Sequence, residues 1–233
     1  MISRGWITPP PIYPREVTTR LSLWLVLGMA LSAATAWLAL SQTFFREQVA
    51  GSGYIVLFVV LWLGSGLILR RFVPRFTALM AFSVLVTMSL LTGLLSASIF
   101  PLHAALLAFG LTGGMYASGA VLARFTSGKR YYFLLLVSGV GLSILVNIVT
   151  HSSGWRWAGT SAFLLLFWLA SASKSAEVQA DARSLYARDY VTTQSCALRG
   201  ALTVWLGLIT MLVDLLRVLV DWLSSMTHGG SLH

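Results

Sequence analysis

The sequence predicts an all-α, polytopic membrane protein with seven transmembrane helices, and three observations carry that prediction. Of 233 residues, 57% are hydrophobic and only 10% charged, and the mean hydropathy is +0.82. A soluble domain has about 45–50% apolar and about 25% charged residues. The apolar residues fall into runs of roughly the 20 residues needed to cross a hydrocarbon layer about 30 Å thick. The basic residues fall in the gaps between those runs.

Seven segments qualify: Leu21–Ser41, Tyr54–Leu69, Phe76–Ile99, Leu102–Arg124, Tyr131–Thr150, Trp155–Ser173 and Gly200–Leu223. The second is short. The third and fourth are divided only by Phe100-Pro101, where proline ends one helix and forces a tight turn. The expected organisation is a cytoplasmic N-terminal tail over 1–20, a single membrane domain over 21–223, and a short external tail over 224–233. The first 20 residues are too polar and proline-rich for the apolar part of a signal peptide. The connection Lys174–Arg199 is mixed-charge and helix-compatible, so it is expected to prolong the sixth helix as an amphipathic segment.

Orientation follows from lysine and arginine in short loops. Thirteen lie on one side: Arg4, Arg15 and Arg20; Arg70, Arg71 and Arg75; Arg124, Lys129 and Arg130; Lys174, Arg183, Arg188 and Arg199. The other side carries two, Arg46 and Arg156. This bias puts the N-terminus in the cytoplasm and, with an odd helix count, the C-terminus outside. The net charge of +9 therefore reads as a topology signal and not as a nucleic-acid footprint. The expected partner is the lipid bilayer.

Chemistry-bearing motifs are few. Cys196 is the single cysteine, which excludes an intrachain disulfide and a CxxC metal site. His103 and His151 lack the neighbouring carboxylates or cysteines that a metal site wants. No GxSxG, HExxH or P-loop is present, and Ser118 lacks the preceding glycine of a rhomboid-type motif. Neither an enzyme nor a cofactor is expected. Gly110, Gly114 and Ser118 are spaced by four residues, as are Gly139, Ser143 and Asn147. Such faces let helix backbones approach closely in lipid. Asn147 is the exception, because a buried amide is expected to seek a partner on another helix.

The seventh segment carries Thr203, Gly207, Thr210, Asp214, Arg217 and Asp221 at spacings of 4, 3, 4, 3 and 4, which places all six on one helical face. An ionised side chain near the bilayer centre costs at least about 2.5 kcal/mol, so this stripe should face the bundle, a wet cavity or another subunit. Two readings stand. The three charges form a self-neutralising ladder, or they form a gate responsive to cations or protons.

Read as RGALTVWLGLITMLVDLLRVL, Arg199–Leu219 resembles the last helix of the Bax inhibitor-1 (transmembrane Bax inhibitor motif) family. The family pattern there is Gly-Ala-Leu-Thr-Leu-Tyr-Leu-Asp-Phe-Ile-Asn-Leu-Phe followed by Leu-Leu-Arg. Gly200, Ala201, Leu202, Thr203, Leu206, Ile209 and Leu215-Leu216-Arg217 match it. Leu91-Thr92-Gly93-Leu94, Thr112–Tyr116 and Leu145-Val146-Asn147 resemble family motifs of helices three, four and five. The resemblance runs from about residue 20 to 222 and implies a seven-helix, N-inside bundle. It also implies a pH-sensitive cation leak, chiefly for Ca²⁺, attributed to one aspartate ending helix six and one in helix seven. Those two positions fall on Lys174 and Gly207, so both carboxylates are absent here. The family also suggests a rival activity, since some bacterial members are thought to act on a membrane-embedded quality-control protease. The expectations are thus an ion-conducting protein or a non-conducting interaction protein with a membrane-protein partner.

Overall fold

A computed structural model describes residues 14–42, 54–126, 128–151, 153–184 and 190–229. Among these residues the regular structure is helical throughout. Seven α-helices follow one another: α1 Pro14–Ser41, α2 Tyr54–Arg70, α3 Ala78–Ile99, α4 Leu102–Phe125, α5 Lys129–Val149, α6 Gly154–Ser184 and α7 Tyr190–Gly229. One turn of 3₁₀-helix, Val73–Arg75, follows α2. Each helix overlaps one of the seven expected segments. Five contain a stretch long and apolar enough to cross a bilayer: Arg15–Ser41, Ala78–Ile99, Leu102–Phe125, Lys129–Val149 and Thr192–Asp214. At 17 residues, α2 sits at the lower limit of about 17 for a span. In α6 the apolar run Phe163–Ala170 is flanked by Arg156, Thr160, Ser161, Ser171 and Ser173.

Helix boundaries follow local chemistry. Thr77 caps α3, its Oγ1 accepting from the Met80 amide at 3.3 Å, which satisfies one of the orphan donors of a first turn. Phe100, held extended by the following Pro101 (φ −113°, ψ 147°), ends α3. Gly128 takes φ +66° ahead of α5, a region that glycine enters without steric cost. His151, in the α5–α6 turn, also has a left-handed φ of 47°.

Helix α7 occupies the middle. Within its span Thr192–Asp214, 67% of an 18-residue apolar window is buried inside the protein, more than in the other four such spans. It packs against α1, α2, α3 and α6. Helix α1 wedges between α3 and α4, α4 continues to α6, and α5 closes against α4 and α6. The core around α7 holds Trp205, Leu202, Leu206 and Ile209, with Leu25 and Met29 from α1, Met88 from α3 and Phe167 from α6. Gly28 of α1 leaves room for the Trp205 indole, since a Cβ there would lie 2.7 Å from its ring.

Backbone polar groups in lipid must be satisfied internally, and most buried hydroxyls among the described residues follow the same rule, Thr112 Oγ1 excepted. Many return to their own helix, as Thr87 does to the Ser83 carbonyl at 2.9 Å. A smaller set joins helices. Ser32 of α1 donates to the Ser89 carbonyl of α3 at 2.9 Å. Ser22 of α1 and Tyr131 of α5 meet at 2.9 Å. Trp168 of α6 donates to the Tyr132 carbonyl of α5 at 2.9 Å, and Tyr116 of α4 donates to the Phe167 carbonyl of α6 at 2.9 Å.

The sixth helix continues to Ser184, as the Lys174–Arg199 segment led one to expect, and the seventh starts at Tyr190, ten residues before the expected span. With 40 residues, α7 is about 60 Å long and outruns the hydrocarbon layer. Helix α1 begins within the segment read as the N-terminal tail, and α7 ends within the segment read as the C-terminal one.

Candidate functional site

The polar stripe of α7 divides in two. Its first half faces neighbouring helices. Thr203 and Thr210 are half-buried, and each donates back to its own helix, to Arg199 O at 2.8 Å and Leu206 O at 3.2 Å. Gly207 is buried and opposes Lys174 of α6. A Cβ at position 207 would lie 2.9 Å from Lys174 Cγ and 3.4 Å from its Cε. The absent side chain of one helix is therefore filled by the aliphatic stem of the other. The two positions on which the resemblance puts the aspartates, Lys174 and Gly207, are thus in contact.

Lys174 does not leave its charge in the packing. Its Nζ reaches Glu177 Oε1 at 2.6 Å, with the lysine side chain 13% and the glutamate 56% exposed. A long basic side chain commonly buries its stem and keeps its charged head at a polar edge. On the other flank of α7, Arg70 at the end of α2 donates to Thr210 Oγ1 at 3.3 Å. Arg199 of α7 donates to the Pro74 carbonyl at 3.3 Å, tying the helix to the turn after α2.

Between α2 and α6 lies a cavity of about 350 Å³, lined by Arg70, Pro74, Lys174, Glu177, Thr203 and Leu206 among others. Two cations and one carboxylate line it. A hard cation such as Ca²⁺ takes six to eight oxygen ligands, carboxylates prominent among them. Here it would find one carboxylate already paired, one hydroxyl, that of Thr203, bonded to backbone, and two positive charges.

The second half of the stripe behaves differently. Asp214 is exposed on the protein surface, so of the three settings expected for the stripe (the bundle, a wet cavity or another subunit) the first describes Thr203 to Thr210 and not Asp214. Asp214 has no ion-pair partner among the described residues. The side chains of Arg217 and Asp221 lie outside the described residues, so the expected charge ladder lies there too.

The small-residue faces act as packing surfaces in most places. A Cβ on Gly114 would lie 2.5 Å from Leu142 of α5, and one on Gly139 would lie 2.8 Å from Met115 of α4. Ser118 and Ser138 join the same two helices at 2.8 Å. Gly110 faces open space and takes no part. Asn147 corrects the expectation made for it. Its Nδ2 donates to Ser143 of its own helix, to the carbonyl at 2.8 Å and Oγ at 3.3 Å. Contact with α6 passes through Ser143, which meets Ser161 at 3.0 Å. The Asn147 Oδ1 is buried without a partner. The helical i, i+4 spacing explains this: Ser143 is one turn away and needs no search across a helix gap.

Sequence reasoning missed the role of Arg70, which read only as a topology signal. No local signal joins it to Thr210, 140 residues away. It also missed the junction of Trp62, Thr92 and Trp205. The two indoles both donate to Thr92 Oγ1, at 2.9 and 3.4 Å.

Three comparisons bear on identity. No protein-family model matches the chain, and no solved structure matches it. Among curated proteins, the chain is similar to inner membrane protein YbhL of Escherichia coli K12. It is 24% identical over 203 residues, covering 84% of this chain and 87% of that one. The same protein of E. coli O6:H1 matches equally. An uncharacterized protein of Deinococcus radiodurans is 26% identical over 211 residues, covering 88% of this chain and 90% of that one. The long apolar helices and this full-length similarity agree, and the chain is a helical membrane protein similar to a bacterial inner membrane protein.

Proposed function

We propose that this chain is a divergent Bax inhibitor-1-type protein of the bacterial inner membrane, oriented N-inside and C-outside. In this reading it acts by contact with another membrane protein and does not leak cations. The observation that carries the reading is the Lys174–Gly207 contact. Where the family places two carboxylates, this chain places a glycine covered by a lysine stem, with the ammonium group paired to Glu177. Arg70 adds a second positive charge on the other side of α7. A cation approaching this site is repelled where the family would bind it. The cavity opens at the arginine-rich end of the bundle, among the loops from which a partner would be recruited.

The rival reading, a pH-sensitive leak, has one feature in its favour: a cavity of about 350 Å³ beside a titratable carboxylate, Glu177. Ca²⁺ and proton flux into proteoliposomes, measured across the acid to neutral range, separates the two. The proposal expects the wild type and Asp214→Asn to match empty liposomes, and expects a stoichiometric protein partner to co-purify from native membranes. Pre-replacing both positions, as Lys174→Asp with Gly207→Asp, should create Ca²⁺ binding that the wild type lacks. pH-dependent flux from the pure wild type would overturn the proposal.

A further inference from the structure

A second cavity lies at the opposite end of α6, where α3 turns into α4. Its volume is about 500 Å³, within the 300–1,000 Å³ of ordinary ligand sites. Arg156 lines it, 18 residues before Lys174, or about 27 Å along the helix. It is therefore a separate site from the Lys174 basin.

Its walls are made by side chains too small to meet. Ala104 and Ala108 of α4 face Ala158, Gly159 and Ala162 of α6. A Cβ on Gly159 would touch nothing within 4 Å. Aromatic rings grade it from inside to outside. Phe109 is 2% exposed and packs edge-on against Phe163 at 5.5 Å. Phe100 is 48% and Trp155 88% exposed at the mouth. Thr160 lines it, but its hydroxyl is already spent on the Arg156 and Trp157 carbonyls. Among the described residues Arg156 is the one charged residue lining the cavity, and no carboxylate does so. The arrangement is an apolar trough with a single cation at a bundle end, beside an exposed tryptophan of the kind that settles at a membrane interface.

We infer that this trough binds one phospholipid, with an acyl chain laid between α4 and α6 and the headgroup phosphate on Arg156. Charge and shape fit this occupant together. A methylene chain needs no hydrogen bond from the walls, and the guanidinium fork matches a phosphate. A helix from a second copy would satisfy the apolar wall and leave Arg156 without an anion.

The test is native mass spectrometry of the full chain purified in mild detergent, followed by titration of delipidated protein with phosphatidylglycerol. The wild type should retain and rebind one phospholipid. Arg156→Gln should weaken binding about fivefold, the worth of one arginine near an anionic headgroup. Gly159→Leu should abolish binding, because its side chain fills the trough, and should leave the melting temperature unchanged because it displaces no neighbour. Glycerol phosphate alone should not bind. Should Gly159→Leu fail to fold, a phospholipid carrying a photoreactive acyl chain should label α4 and α6 of the wild type around Ala108 and Ala162. Equal lipid retention in wild type and both variants would overturn the inference. So would tight binding of glycerol phosphate, labelling elsewhere, or a lipid-free wild-type dimer.

Discussion

Replacing Thr92 by valine keeps the shape of the side chain and removes the acceptor on which two tryptophans converge. Trp62 of α2 and Trp205 of α7 donate to Thr92 Oγ1 of α3 at 2.9 and 3.4 Å, and the three residues are 5%, 0% and 4% exposed respectively. Thr92 itself donates to Met88 O at 2.7 Å, a bond within one helical turn whose loss costs little. A buried donor left without an acceptor costs about 1–3 kcal/mol. In a membrane the scale is smaller, averaging about 0.6 kcal/mol per interhelical bond with a maximum near 1.7, because the unfolded helices find other partners. The Trp62 bond is of ordinary length and the Trp205 bond is beyond the usual 2.7–3.2 Å. Together they should contribute about 1–2 kcal/mol, or about 5- to 30-fold in the unfolding equilibrium. Unfolding in mixed micelles of rising dodecyl sulfate content, followed by circular dichroism, measures this directly. Thr92→Ser is the control, since it keeps the oxygen and drops the methyl. A Thr92→Val protein as stable as wild type would refute the three-helix junction. A Thr92→Ser protein as stable as wild type beside a weakened Thr92→Val would tie the loss to the oxygen.

Gly93 stands beside Thr92 at the closest approach of α3 to α1. A Cβ there would lie 2.5 Å from the Ser32 carbonyl oxygen and 2.7 Å from Thr35 Cβ. Gly93→Ala should therefore destabilise the same unfolding transition by about 1–3 kcal/mol, the usual cost of overpacking, despite alanine's better helix propensity. Ser32→Ala should cost about 0.6 kcal/mol, a typical interhelical bond in lipid, because it deletes the link to Ser89 O. Ser98→Ala should be silent, since Ser98 bonds only to Leu94 O of its own helix. Orientation is checked in a Cys196→Ala background, with single cysteines placed at Thr126 and Gly154. An impermeant maleimide applied from outside the inner membrane should label Gly154→Cys and spare Thr126→Cys; the reverse pattern would invert the topology.

The helical type and the approximate limits of the helices among the described residues were legible in the sequence. Apolar runs of bilayer length divided by polar gaps admit little else, and Pro101 marks a boundary through its own backbone chemistry, whereas the Thr77 side-chain cap starts α3 two residues after the expected Phe76. The spacing of Gly114 and Gly139 was legible as close helix packing for the same reason: a 3.6-residue period is a local property. The identity of the helix carrying the polar stripe was legible too. What the stripe does was not. Only the tertiary structure decided that Gly207 lies under Lys174, that Arg70 reaches Thr210, and that Asp214 is turned outward. Those facts depend on which helices flank α7 and at what rotation, and packing between distant segments sets both. Asn147 marks the boundary between the two kinds of knowledge: an amide needs a partner by its chemistry, but the fold decided that the partner is one turn away. The lysine over the glycine is the largest consequence. Lys174 and Gly207, far apart in the sequence, are in space a single contact in which one residue makes room for the other.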